Sequence, residues 1–181
     1  MTTPSQADNL QSAIEKFEQH EYPRAIELLE PLVKLGSVKA KSYLAEIYWH
    51  VEDYKDLKRA AQLQKELNEI YDSSSRAYEI GVFRETLMLL ETSDYADNTR
   101  LNSLFMSLKD SRYDRNLLLA ASIAKSDRIK TLKRERPLAL YLKAFKYATS
   151  FSQKRRILGL ILIEFFMPSK KSIIVVPRPG Q

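Results

Sequence analysis

The chain has 181 residues, enough for one domain with a sizeable core. Its four Gly and seven Pro leave little for the turns of an all-β protein, and the lack of Cys excludes disulfides, thiol catalysis and cysteine zinc sites. Charge is uneven: residues 1–90 carry 11 Lys and Arg against 15 Asp and Glu, and residues 91–181 carry 18 against 8.

The opening "MTTPSQADNLQSAIEKF" lacks a basic n-region followed by an apolar h-region. The expectation is therefore a cytoplasmic protein, or a processed periplasmic one. Leu10, Ala13, Ile14 and Phe17 then fall at i, i+3, i+4 and i+7, one face of a helix over 8–19. Ser5 and Asp8 have capping-box spacing, and the helix should end near His20. Pro23 suits the first turn of a second helix, whose apolar face is Ala25, Ile26, Leu28, Leu29, Leu32 and Val33 and whose stop is Gly36.

The pattern recurs. "SVKAKSYLAEIYW" predicts a helix from Val38 with Ala40, Tyr43, Leu44, Ile47 and Tyr48 inward. After a break at "HVED", Asp53 is the expected N-cap of a helix that turns Leu57, Ala60, Ala61, Leu63 and Leu67 inward. "DSSSRAYEIGVFRETLMLLE" and "SDYADNTRLNSLFMSLK" make a third pair, "YDRNLLLAASIAK" and "RPLALYLKAFKYA" a fourth, and "FSQKRRILGLILIEFF" a final helix. The organisation expected is an N-terminal tail over 1–7, a helical domain of about nine helices over 8–167, and an extended tail over 168–181.

Tyr22, Tyr54 and Tyr95 all fall at expected starts of second helices, 32 and 41 residues apart, and "DYKD" and "DYAD" are nearly one tetrapeptide. "PRAIELL" also parallels "PLALYLK". A period in the mid-thirties with two helices per unit is the mark of a helix–turn–helix solenoid. On these residues the chain resembles tetratricopeptide and Sel1-like repeats, over roughly residues 8–150. The best-matching unit is "AKSYLAEIYWHVEDYKDLKRAAQL". There the resemblance implies that small Ala45, space-filling Tyr48 and second-helix Ala60 set the packing of the pair. The first unit matches through Phe17, Tyr22 and Ala25. The third has Gly81 without the second-helix alanine, and the fourth matches through Ala121, Pro137 and Ala139. The fold expected is all-α, a short right-handed superhelix of antiparallel helix pairs. The resemblance implies protein binding in a concave groove, by an adaptor, a scaffold or a toxin-neutralising binder of the kind bacteria use.

Chemistry is sparse. His20 and His50 fall at expected turns, and no HxxxH or HExxH spacing gives either a metal-binding partner. Glu15, Glu18, Glu27, Glu46, Glu66 and Glu69 read as exposed helix faces. No glycine-rich phosphate loop or nucleophile elbow is present. The expectation is a non-enzyme with no cofactor and no metal. If the first helices line a groove, the positions spared from packing are Gln11, Glu15, Lys39, Ser42, Glu46, Trp49, Tyr78, Glu85, Arg115 and Lys125. Trp49 is the leading hot-spot candidate, with packing at the helix end beside Tyr54 as its other reading.

The C-terminal half supplies the rival class. "KSDRIKTLKRERP" holds six Lys and Arg against Asp127 and Glu135, and "QKRR" and "PSKK" flank the last helix. These suit either a solvated surface or a nucleic-acid-binding regulator. "ILGLILIEFF" is ten residues, about half of a membrane span. It is apolar all round except at Glu164, so something should cover it: the β-branched run Ile173–Val176 of the tail, a second subunit, or a partner.

Overall fold

The computed structural model describes residues 5–92, 98–125 and 136–166. Among the described residues the protein is all-α, with nine α-helices, one turn of 3-10 helix and no strand. The helices are α1 (Gln6–Glu18), α2 (Tyr22–Lys34), α3 (Val38–His50), α4 (Leu57–Ile70), α5 (Arg76–Glu91), α6 (Asn98–Asp110), α7 (Asp114–Lys125), α8 (Pro137–Tyr147) and α9 (Phe151–Phe166). Each expected helix is present. The "DYAD" repeat, most of the basic stretch before Pro137 and the apolar tail run lie outside the described residues.

Local chemistry accounts for the joints. Ser5 and Asp8 close the capping box at the start of α1: the Asp8 amide donates to Ser5 Oγ (3.2 Å) and the Ser5 amide to Asp8 Oδ2 (3.0 Å). At its end His20 takes a left-handed conformation (φ 61°). His20 N–H bonds the Phe17 carbonyl and Glu21 N–H that of Lys16, the Schellman pattern. Gly36 (φ 85°) repeats it after α2, with Gly36 N–H on the Val33 carbonyl and Ser37 N–H on that of Leu32. Ser37 then caps α3 through the Ala40 amide.

One cap differs from the sequence reading. Asp56, not Asp53, is the N-cap of α4 and accepts the Arg59 amide at 3.0 Å. Residues Glu52–Tyr54 close into a 3-10 turn, and the Asp56 amide reaches back to the Tyr48 carbonyl at 2.8 Å. That bond places the later aspartate at the helix start.

The chain divides into two compact units. The first runs to Ser73 and takes in the last turn of α5 from Met88; the second holds the rest of α5 and everything from α6 onward. In the first unit α1–α2, α2–α3 and α3–α4 pack as successive hairpins, and α1 also lies against α3, where Phe17 meets Tyr43 edge-on at 5.0 Å. On the other side Glu30 of α2 binds Arg59 of α4 (2.7 Å), so α1 with α3 and α2 with α4 form two layers. Ala13, Ala25, Ala40, Ala45 and Ala60 are all buried, as are Leu29, Leu44, Ile47 and Leu67. Ala45, Tyr48 and Ala60, on which the resemblance rested, are core residues.

In the second unit α6–α7, α7–α8 and α8–α9 pack in turn. Residues Asn116 to Ala121 of α7 are buried without interruption, so α7 is its central helix, apolar nearly all round. Phe105, Leu108, Leu140, Ala144 and Ile157 complete this core.

The Gly36 joint yields a direct check. A Cβ at Gly36 would meet no atom within 4 Å, so Gly36→Ala tests backbone conformation alone. It should lower stability by about 1 kcal/mol, read as a reduced urea midpoint with unchanged slope.

Candidate interaction surface

Six of the ten positions read from the sequence as groove residues lie on α1 and α3, two neighbouring helices of the first unit. Gln11 and Glu15 are exposed one turn apart on α1, with Gln11 Nε2 donating to Glu15 Oε1 at 3.2 Å. On α3, Lys39 is exposed while Ser42 and Glu46 are half-buried; the spacing of three and four sets all three on one side of the helix. Glu46 Oε1 lies 3.5 Å from His50 Nε2, one turn on. The Phe17–Tyr43 contact joins the two helices, and Phe17 also meets Tyr22 of α2 edge-on (6.0 Å).

Trp49 does not join them. It is 8 % exposed and stacks on His50, with ring centroids 4.1 Å apart and planes 28° apart. Its burial corrects its assignment as a position spared from packing. Residues 44, 45, 47, 48 and 49 are all buried, because α3 has α1, α2 and α4 as neighbours and keeps only a narrow outer strip.

The second-unit candidates behave differently from one another. Arg115 is exposed on α7. Tyr78 is half-buried, its hydroxyl 3.4 Å from Ser107 Oγ. Glu85 is 1 % exposed and takes both prongs of the Arg100 guanidinium at 2.7 Å, a bidentate pair joining α5 to α6. Lys125 forms a 2.7 Å ion pair with Glu164, both mostly buried, joining α7 to α9. Glu85 and Lys125 therefore serve packing, which corrects the expectation for both.

The remaining carboxylates separate by partner. Glu15, Glu18, Glu27 and Glu69 are exposed as expected. Glu66 instead accepts the mostly buried Lys41 ammonium at 2.6 Å, which holds its carboxyl below the ordinary range. Glu30 accepts from Tyr48 (3.3 Å) as well as Arg59, whose guanidinium lies over the Tyr48 ring at 4.7 Å. Burial pushes the Tyr48 hydroxyl up. In the second unit Glu79 accepts from Ser111 Oγ and from Asn116 Nδ2 (2.9 Å). Tyr141 is raised by burial and then by the nearby Glu164 carboxylate. These links join residues 11 to 37 positions apart, so no local spacing signals them.

Both histidines are exposed, His20 in the α1–α2 joint and His50 at the end of α3. Among the described residues no group of three or more His, Asp or Glu could hold a metal ion, and no helix is long and apolar enough to cross a membrane. No family model, curated protein or solved structure matches the chain.

Two measurements check this assignment of side chains. Trp49 is the only tryptophan, so native fluorescence should resist acrylamide quenching, and Trp49→Ala should cost about 3–5 kcal/mol in urea unfolding. The Glu66–Lys41 pair adds stability above the unfolded glutamate pKa, and that increment fades as pH falls through the lower folded value. Because Glu66 is over a third open to solvent, the increment is about 0.5 kcal/mol or less. Lys41→Met should flatten that part of the stability–pH curve below pH ~4.

Proposed function

We propose that the protein is a non-catalytic protein-interaction module of the tetratricopeptide/Sel1-like kind, an adaptor, scaffold or toxin-neutralising binder. Its docking face is the α1–α3 side of the first unit. The observation that carries this is the placement of exposed Gln11, Glu15 and Lys39, with half-buried Ser42 and Glu46, on two neighbouring helices joined by the Phe17–Tyr43 contact. A fixed array of mixed-charge side chains on rigid helices recognises a partner by complementarity with little ordering cost. The buried seam residues Ala45, Tyr48 and Ala60 support the repeat-like reading. In this proposal the module needs no cofactor.

A second reading has its own observation. Lys154, Arg155 and Arg156 are consecutive and exposed on α9 of the second unit, a start for a nucleic-acid-binding surface.

One experiment separates the two. The immobilised chain captures partners from lysate beside a Glu15→Lys/Glu46→Lys variant, with captured proteins quantified by mass spectrometry. The docking reading expects a specific protein to be depleted about tenfold or more by the variant, ~1.4 kcal/mol, with helical signal and melting temperature unchanged. An identical captured set from both chains refutes the α1–α3 face. Nucleic-acid capture that falls steeply with added salt and ignores the variant supports the second reading.

A further inference from the structure

The helices α8 and α9 of the second unit expose cations and apolar side chains without an exposed carboxylate. Residues 136–166 hold six Lys and Arg against one acid, Glu164. Glu164 is mostly buried in its 2.7 Å pair with Lys125, and α8 contains no Asp or Glu. Lys143 is engaged internally, donating to the Lys109 carbonyl. Arg136, Lys146, Lys154, Arg155 and Arg156 are exposed, and Lys154 leans over the Phe145 ring of α8 at 5.9 Å.

The outer side of α9 is apolar as well. Phe151, Arg155, Leu158 and Leu162 are spaced i, i+4, i+7 and i+11 and so share one face. Phe151 is 83 % exposed, Leu158 and Leu162 47 % each, and Ile163 53 %. The other side of the helix holds it in the fold, with Ile157 fully buried and Leu160 and Ile161 half-buried. The helix therefore has two apolar sides, one packed in the core and one open among cations.

That combination selects the ligand. The phosphates of a nucleic acid complement the cations, but not a row of exposed aliphatic side chains. A protein partner would need an apolar groove rimmed with carboxylates, which is a particular shape. The boundary of an anionic bilayer supplies both chemistries everywhere. Lipid phosphates face the cations, while Phe and Leu side chains enter the acyl edge below. Arg155 suits this position, because its stem lies along apolar surface while its guanidinium stays at the headgroups. The apolar run 157–166 is about half the length of a spanning helix, so α9 lies along the surface.

We propose that the outer side of α9 is a docking surface for anionic membranes. Phe151, Leu158, Leu162 and Ile163 insert, and Lys154, Arg155 and Arg156 hold the lipid phosphates.

The test uses the full chain with vesicles of phosphatidylcholine alone and of phosphatidylcholine mixed equally with phosphatidylglycerol. The mixed vesicles should bind about tenfold or more tighter. Replacing Lys154, Arg155 and Arg156 together by Gln should weaken that binding about a hundredfold, at roughly fivefold per charge. Phe151→Ser with Leu162→Gln should weaken it about tenfold or more with an unchanged helical signal. No preference for the anionic vesicles overturns the proposal. So does an apolar variant that binds like the native chain, because cations alone then suffice. Binding to duplex DNA without binding to vesicles makes nucleic acid the occupant and also overturns it.

A second measurement does not depend on loss of affinity. The native chain has no Cys, so Ile163→Cys takes a single environment-sensitive fluorophore. Its emission should shift to the blue when the mixed vesicles are added, while the same label at Gln11→Cys on α1 stays in water. An Ile163 label that is already blue-shifted without vesicles shows that the protein covers this side itself, and refutes the docking surface. A label that never shifts refutes insertion.

Discussion

Two helices can lie only as close together as the side chains in their seam permit, and in this protein alanines are among the residues buried most completely. Ala13, Ala25, Ala40 and Ala60 in the first unit, and Ala120, Ala121 and Ala144 in the second, have no exposed surface. Alanine has the highest helix propensity and loses no side-chain entropy on burial, so it brings backbones close without disturbing the helices. Leu29, Leu44, Ile47, Leu117 and Ile123 then interdigitate around these contacts and supply most of the apolar area removed from water. Enlarging a seam alanine forces the helices apart along their length, so its effect spreads well beyond the substituted position.

Close seams leave little room for polar groups, and those that enter are paired. Glu85 meets Arg100 with both oxygens, and Gln64 donates to Asn68 within the buried side of α4. Glu79 gathers Ser111 and Asn116 from the α6–α7 corner. Such groups are costly if unpartnered, so the pairs that cross between helices fix one arrangement of them more sharply than apolar contact does. Gln11, Glu15, Lys39, Ser42 and Glu46 of α1 and α3 lie outside these seams.

Much of the fold was legible because its signals are local. The 3.6-residue periodicity marks the first four helices, and the Ser5–Asp8 spacing marks the first cap. Gly36 marks a stop because only a residue tolerant of positive φ completes that turn readily, and His20 fills the same role at an extra conformational cost. The α4 cap was misplaced because Asp53 and Asp56 carry the same local signal. A backbone bond from Asp56 to Tyr48 chooses between them.

By itself the sequence determined the helical class, the order of the helices and most of their ends, since each depends on residues within about one turn. Only the tertiary structure decided which helix faces are open. Periodicity reports that a helix has an apolar side, but not how many neighbours it has. With α1, α2 and α4 around it, α3 buries Trp49, a position that looked outward from the pattern alone. Likewise Glu85 and Lys125 read as solvated charges until Arg100 and Glu164, distant in sequence, are brought against them. The burial of a charge depends on the surrounding packing, and the sequence near that charge does not carry this information.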